Sequence, residues 1–410
     1  MKRVLKWVGV IVLLLVLIVA GFAAWIQFSG MPTYDVAVVE MTIPSTPERL
    51  VRGRELATSL CVHCHLDPAT RIASGKEIVD LPKEFGRAFS KNITNHRTAG
   101  IGGWSDGEIV WLLRTGIHPR TGEYVPPWMP KFPRLSDEDM ASIVVWLRSD
   151  DPYVAAADVP NRPAEPSFLA KFLSRIAFKP LPYPSAPVAH PDTTNSVVWG
   201  KYLALGVYDC YSCHSGDFAK MDMLTPENSF DFFAGGNMMP DAAGKAVSTS
   251  NITMDKTTGI GSWTREQFIT ALKTGFRPDG SQIRYPMARF VQASDASIGA
   301  IYDYLKTVPT INKPRGVVEL HDAGATASAG KKAYYRYECI RCHGESGLGI
   351  ADLQLADTKY ATDSLMSDVI RHINTYQPES YMPKYEDRIP ESDMASLIAY
   401  VRQLGQASKR

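Results

Sequence analysis

"CVHCH", residues 61–65, holds two cysteines three positions apart and ends on histidine. Half a zinc site, a dithiol redox centre, a disulfide loop or a haem attachment point could each claim it. The remaining cysteines narrow the choice. They are Cys210 and Cys213 in "CYSCH" and Cys339 and Cys342 in "CIRCH", so all six fall in the pattern C-x-x-C-H.

A disulfide framework has no reason to place histidine after every second cysteine. A zinc ribbon needs a second pair close by to complete four ligands, and these pairs lie more than 100 residues apart. A thioredoxin-like dithiol belongs in a βαβ setting, which does not surround these pairs. C-x-x-C-H is the attachment motif of c-type haem. On a helical turn, positions i and i+3 share a face, so both thiols reach one porphyrin edge and the next residue brings its imidazole to the iron. The reading is three covalently bound haem c groups on Cys61 and Cys64, Cys210 and Cys213, and Cys339 and Cys342. His65, His214 and His343 are the proximal iron ligands. His63, between the first two cysteines, is a bystander.

After the first two motifs the sequence repeats. "NITNHRTAGIGGWSDGEIVWLLRTG" (92–116) and "NITMDKTTGIGSWTREQFITALKTG" (251–275) share 11 of 25 positions. Each reads as a Gly-rich loop with Trp104 or Trp263 running into an amphipathic helix, the glycines suiting tight turns near a flat ring. N-I-T is formally a glycosylation sequon, but nothing else suggests a eukaryotic secreted protein. Further on, each unit reaches a methionine beside proline: Met129 in "VPPWMPKF", Met287 in "IRYPMARF" and Met382 in "SYMPKY". A closing helix follows each, with Ser136 (and Asp139) and Ser392 as helix starts. A lone methionine is more often core filler. Three at equivalent places in proline-stiffened loops read as sixth ligands. The competitors are Met238 and Met239 in unit two, Met366 and His372 in unit three, and His96 and His118 in unit one. His190 and His321 fall in linkers without a clear role.

At 410 residues the chain exceeds what one core normally holds. The pattern gives three all-α units at 45–150, 193–312 and 325–410. Residues 151–192 form a linker containing "PSFLAKFLSRIAFKP" (166–180), whose apolar residues recur at helical spacing beside Lys171, Arg175 and Lys179. That segment is either a helix packed across two units or an interfacial helix touching lipid or a membrane partner. A net charge of +1, near balance in each unit, argues against a nucleic-acid partner. Val8–Ile26 carries no charge over 19 residues and follows Lys2, Arg3 and Lys6. Its length nearly matches the hydrocarbon core of a bilayer, so residues 1–28 are expected to anchor the chain and to send the remainder across the membrane. A cleaved signal peptide would have a shorter apolar run and a better cleavage site than "GFAA".

Taken together, residues 48–404 resemble the three-haem cytochrome c subunit of bacterial membrane-bound alcohol, aldehyde and gluconate dehydrogenases. The features that carry this are the three C-x-x-C-H motifs, the two "NIT…TGIG.W" segments and the Pro-Met elements. The resemblance implies three tandem class I cytochrome c domains in the periplasm, fed by a periplasmic dehydrogenase subunit and delivering to quinone or a terminal oxidase. An inner-membrane anchor is where this sequence departs from a family with a plain cleaved signal. Met–His ligation leaves no open iron position, so the expected work is electron transfer and not catalysis. The competing readings are a haem enzyme (a peroxidase or sulfur-compound oxidoreductase) with one open site, and a haem-based interaction or sensor module. No nucleophile–base pair or phosphate loop stands out to suggest a catalytic residue.

Overall fold

The computed structural model describes residues 2–316, 318–350, 353 and 356–407. Met1 and residues 408–410, which the sequence reading gives to the anchor and the third unit, lie outside the described residues. The chain is mostly helical. It opens with α1 (Lys2–Phe28), exposed along almost its whole length, with Ile26 its one buried residue. By length and composition α1 fits a single membrane span or a signal sequence.

The helices then recur in the same order. First come α2 (Pro47–Leu60), the short α3 (Val62–His65), α4 (Asp106–Thr115) and α5 (Asp137–Leu147). After the connecting α6 (Phe168–Ile176) come α7 (Ser196–Tyr202), which runs on as one wide π-turn over Leu203–Val207, then α8 (Cys210–His214), α9 (Arg265–Thr274) and α10 (Asp295–Leu305). The last set is α11 (Ala329–Arg336), α12 (Ile340–His343), α13 (Ala356–Lys359), α14 (Asp363–Arg371), α15 (Ile373–Tyr376) and α16 (Glu391–Ala407). Two small antiparallel pairs complete it: β1 (Gly86–Arg87) with β2 (Glu165–Pro166), and β3 (Met238–Pro240) with β4 (Ala246–Ser248).

In each set the helix before C-x-x-C-H crosses the closing helix: α2 on α5, α7 on α10, α11 on α16. A glycine sits at every crossing. A Cβ on Gly53 would stand 1.9 Å from the Ser142 carbonyl oxygen, on Gly200 1.8 Å from that of Ala300, and on Gly330 2.2 Å from that of Ser396. Only a residue without a side chain lets the two backbones approach this closely.

The repeat folds as repeated structure. Ser105 and Glu108 form a reciprocal capping box at the start of α4, and Thr264 and Gln267 do the same for α9. Both helices end on a left-handed glycine, Gly116 at φ 76° and Gly275 at φ 84°. Ser136 caps α5 by accepting from the Asp139 N–H at 3.1 Å, as its sequence suggests. The start of α16 differs from expectation. It begins at Glu391, one residue before Ser392, and the Asp393 and Met394 N–H groups donate to the Pro390 carbonyl.

One continuous core joins the first two sets, with Trp146 and Met140 packed in the same cluster as Leu203 and Ile298. A separate cluster around Tyr334, Leu397 and Ile398 serves the third. The linker is not slack. The buried Asn92 amide donates to the carbonyls of Ala157 and Val159, holding the linker against the first set. Helix α6 packs on α1 and on the turn at Lys83–Phe85.

Candidate functional site

Each C-x-x-C-H occupies one helical turn. Cys64 and His65 N–H donate to the Cys61 carbonyl, and Cys342 and His343 N–H donate to that of Cys339. Each motif is then closed by the same contact, in which a glycine N–H donates to the motif histidine's carbonyl. Gly75 serves His65 at 2.9 Å, Gly235 serves His214 at 2.6 Å, and Gly349 serves His343 at 2.9 Å.

The histidine rings are oriented from the repeat. His65 Nδ1 donates to the Lys91 carbonyl at 2.7 Å, and His214 Nδ1 donates to the Ser250 carbonyl at 2.8 Å. Lys91 and Ser250 are the residues just before N-I-T. Within N-I-T, Asn92 Oδ1 accepts from the Thr94 N–H and hydroxyl, and Asn251 Oδ1 accepts from the same groups of Thr253. These side chains are buried, so N-I-T is a turn that presents a carbonyl to the imidazole and not a surface sequon. With Nδ1 carrying the proton, Nε2 is the nitrogen left to bind a metal. Burial lowers the pKa of both rings, which favours the neutral, ligating form.

The cysteines are unpaired by disulfides. Burial pushes the thiols of Cys61, Cys210, Cys339 and Cys342 up to about 12, and that of Cys213 to about 11. Such thiols are poor thiolates and poor redox nucleophiles. Among the described residues no group of three or more His, Cys, Asp or Glu converges to hold a metal ion, so the pairs lack the further ligands a zinc site needs. At the first two motifs, two thiols on one helical face beside an imidazole that keeps Nε2 for a metal form a donor set that fits covalent haem c.

Met129 and Met287 stand at matching points. Met129 N–H donates to Pro126 at 3.2 Å and Met287 N–H to Arg284 at 3.1 Å, each closing a turn. Three residues later, Phe132 N–H donates to Leu113 of α4 and Phe290 N–H to Leu272 of α9. Both methionines are half-buried and pack on the core that also receives Cys61 and Cys210. Met382 is likewise half-buried, against the cluster that receives Cys339.

The competitors are otherwise engaged. Met238 and Met239 lie on β3, and Met238 is exposed. Met366 is core on α14, whereas the His372 side chain is about half exposed beside Asp368. His96 Nδ1 accepts from the Ala99 N–H at 3.1 Å, and His118 Nδ1 from the Arg120 N–H at 3.3 Å. The repeat glycines Gly100 and Gly259 abut the Thr94 and Thr253 carbonyls of their own loop.

Three features lie beyond the sequence reading. The crossing glycines lie 8, 10 and 9 residues before Cys61, Cys210 and Cys339, a recurrence the sequence does display. The N-I-T turn reads as part of the repeat, but its carbonyl-presenting role needs the fold. The third is His321, whose Nε2 lies 2.7 Å from buried Asp241, which also accepts from Arg341 at 2.7 Å. Arg341 lies between Cys339 and Cys342, and its carbonyl accepts from the Ala242 N–H. The hairpin of Met238 and Met239 thereby fastens the third motif to the second set.

The motifs also meet one another. Tyr381, beside Met382, packs its ring on His63 at 4.7 Å, and its hydroxyl donates to the Ser59 carbonyl at 3.0 Å. The buried Arg289, two residues after Met287, donates to the Met382 carbonyl and to Asn374 Oδ1. Tyr285, two residues before Met287, donates to Asp80 of the first set.

Residues 325–401 match the family model described as cytochrome c oxidase, cbb3-type, subunit III. The chain is 27% identical to the alcohol dehydrogenase (quinone) cytochrome c subunit of Gluconacetobacter polyoxogenes, over 83% of this chain and 77% of that protein. It is 28% identical to the fructose dehydrogenase cytochrome subunit of Gluconobacter japonicus, over 73% and 65% of the two chains. To the gluconate 2-dehydrogenase cytochrome c subunit of Pantoea cypripedii it is 27% identical, over 74% and 70%. Covalently bound haem c is what a cytochrome c implies. The chain is therefore similar over most of its length to dehydrogenase cytochrome c subunits, and its residues 325–401 match a cytochrome family model.

Proposed function

We infer that this protein is a membrane-anchored, three-haem c-type cytochrome that relays single electrons from a periplasmic dehydrogenase to quinone or a terminal oxidase. In this reading residues 1–28 anchor it in the bacterial inner membrane. Segments 45–150, 193–312 and 325–410 are three class I cytochrome c domains, with 151–192 as the first linker. The three cysteine pairs would hold the cofactors, and His65 with Met129, His214 with Met287, and His343 with Met382 would ligate the irons. Bound haem c supplies reversible one-electron chemistry at its iron, and Met–His ligation raises its potential.

The observation that carries the reading is contiguity. Tyr381 of the third set lies on His63 of the first motif, and Arg289 of the second donates to the carbonyl of Met382. Side chains adjacent to all three candidate sites thus touch, as a relay requires and independent carriers would not. The partner is inferred from relatives named as cytochrome subunits of alcohol, fructose and gluconate dehydrogenases. With a histidine and a methionine on each iron, the chain's own residues would orient and shield the cofactors, and the chemistry supplied would be electron transfer.

The test is deletion of the gene with assay of the partner pathway. Electron flow from a periplasmic dehydrogenase to the respiratory chain should stop, while dye-linked dehydrogenase activity persists. Haem quantification on the purified protein should give three per chain. Turnover of peroxide or a sulfur compound at enzyme-like rates would replace the relay with the haem-enzyme reading.

A further inference from the structure

Helix α6 is built inside out for a water-facing helix. Its buried positions are the small Ala170 and Ser174, both 0% exposed. Phe168, Leu169 and Ile176 face outward, 41%, 39% and 54% exposed, with Phe172 and Leu173 half-buried beside them. Phe168 and Phe172 stack with centroids 6.1 Å apart along this outer face. At 100° per residue, Phe168, Phe172, Ile176 and Leu169 span one continuous arc, opposite Ala170 and Ser174. Water gives no reason to arrange a helix this way.

The flank of α6 is fixed to the end of α1. Lys171 Nζ donates to the Gln27 carbonyl at 2.7 Å, and Arg175 donates to Ser29 Oγ at 2.6 Å and the Gly30 carbonyl at 2.7 Å. These cations satisfy carbonyls that the end of a helix leaves without partners. The Arg175 guanidinium also lies 4.8 Å from the Trp25 ring centroid. Trp7 and Trp25 are 18 residues apart, so at about 1.5 Å per residue they are separated by about 27 Å. That is close to the hydrocarbon thickness of about 30 Å, and tryptophan favours the headgroup boundary. With α1 as a membrane span, the contact with Trp25 sets α6 at the depth of the outer headgroups.

We propose that α6 is an interfacial helix whose apolar arc, Phe168, Leu169, Phe172 and Ile176, lies in the phospholipid headgroup–acyl boundary. The occupant of this face is the lipid surface itself. The consequence concerns the first C-x-x-C-H unit. Ser167 N–H donates to the Phe85 carbonyl at 3.1 Å, and β2 pairs with β1, so α6 is bound to that unit on the side where Phe85 meets Trp128, the neighbour of Met129. Docking α6 therefore turns the Met129 side of the first unit toward the membrane.

The proposal rests on α1 being retained as an anchor. The test uses the full-length holoprotein in phosphatidylcholine–phosphatidylglycerol vesicles, nitroxide-labelled at Leu169→Cys or, separately, Ile176→Cys, with Val198→Cys as the water-facing control. Both α6 labels should be far more accessible to oxygen than to a water-soluble nickel complex, and the control should show the reverse. Water-like accessibility at both α6 positions overturns the proposal. So does shielding that fades as the protein is diluted in lipid, which would mark contact between copies. Intact mass of the same sample reads the anchor separately. A chain lacking residues 1–28 sinks the anchor and the proposal together, whereas a full chain with water-exposed labels sinks the proposal alone.

Discussion

The ring of Tyr381 rests on that of His63 with centroids 4.7 Å apart and planes inclined by 32°. His63 is held between Cys61 and Cys64, and Tyr381 is one residue from Met382, so this contact joins the first and third candidate sites. Burial pulls the His63 imidazole down to about 4, so it is neutral and can stack without a charge to solvate. Tyr381→Ala should leave every haem attached yet slow electron equilibration between those two sites. Tyr381→Phe keeps the ring, loses only the hydrogen bond to Ser59, and should transfer almost normally. Rapid-mixing reduction followed at the haem bands separates the two, and equal slowing in both variants would shift the role from the ring to the hydroxyl.

Met287 and Met129 share a turn, a following phenylalanine and an anchoring helix carbonyl, whereas Met239 is part of a hairpin. Met287→Ala should lower the potential of one haem and open it to carbon monoxide with full haem content retained. Met239→Ala should alter neither property. A changed spectrum in Met239→Ala with an unchanged one in Met287→Ala would reverse the assignment.

How much of this is readable without coordinates depends on the range of the interaction. Cys61 to His65 is a single turn, so its pattern of donors is visible in the spacing alone. Ser105 with Glu108 and Thr264 with Gln267 are also local, and the sequence shows them as helix starts. The interactions that stay hidden are distant in the chain. Lys91 serves His65 across 26 residues through a main-chain carbonyl, which places no demand on the identity of residue 91. Asp241 meets Arg341 across 100 residues, and no periodicity reports such a pair. The outward apolar face of α6 has the spacing of any amphipathic helix, and only its neighbours reveal which way that face turns.

The crossing glycines give a stability test. A methyl carbon on Gly53 would stand 1.9 Å from the Ser142 oxygen, so α2 and α5 must separate to admit alanine. Gly53→Ala should destabilise the protein by about 1–3 kcal/mol, the usual cost of overpacking. Gly330→Ala should do the same to the third set. Gly30→Ala, which meets nothing within 4 Å, is the control and should lie within about 0.5 kcal/mol of the parent. Denaturant midpoints read all three.

The contacts between α6 and residues 25–30 predict that the native chain keeps its apolar helix. The protein should stay in the membrane fraction through a high-salt wash and come out only with detergent. Replacing residues 1–28 with a cleavable signal should yield a soluble, haem-loaded protein. Recovery of natural chains beginning near Ala24 would show instead that the apolar helix is a leader.

Arg341 and Asp241 form an almost fully buried ion pair, 2% and 2% exposed, between the third C-x-x-C-H motif and the hairpin of the second set. Removing one member strands a desolvated charge, so Arg341→Ala should cost about 3–5 kcal/mol. The cysteines and His343 are untouched, and haem attachment should persist. Removing both charges avoids the stranded ion, so Arg341→Met combined with Asp241→Asn should cost clearly less than the two single changes added together, by about 0.5–3 kcal/mol. The loss should fall on the contact between the second and third sets, because the Arg341 guanidinium also donates to the Glu319 carbonyl in the intervening linker at 2.9 Å. Proteolysis in that linker should then accelerate in Arg341→Ala and partly recover in the double variant. Additive costs would mean that the contact between Arg341 and Asp241 adds nothing beyond what each residue contributes alone, and that Arg341 acts only by filling space.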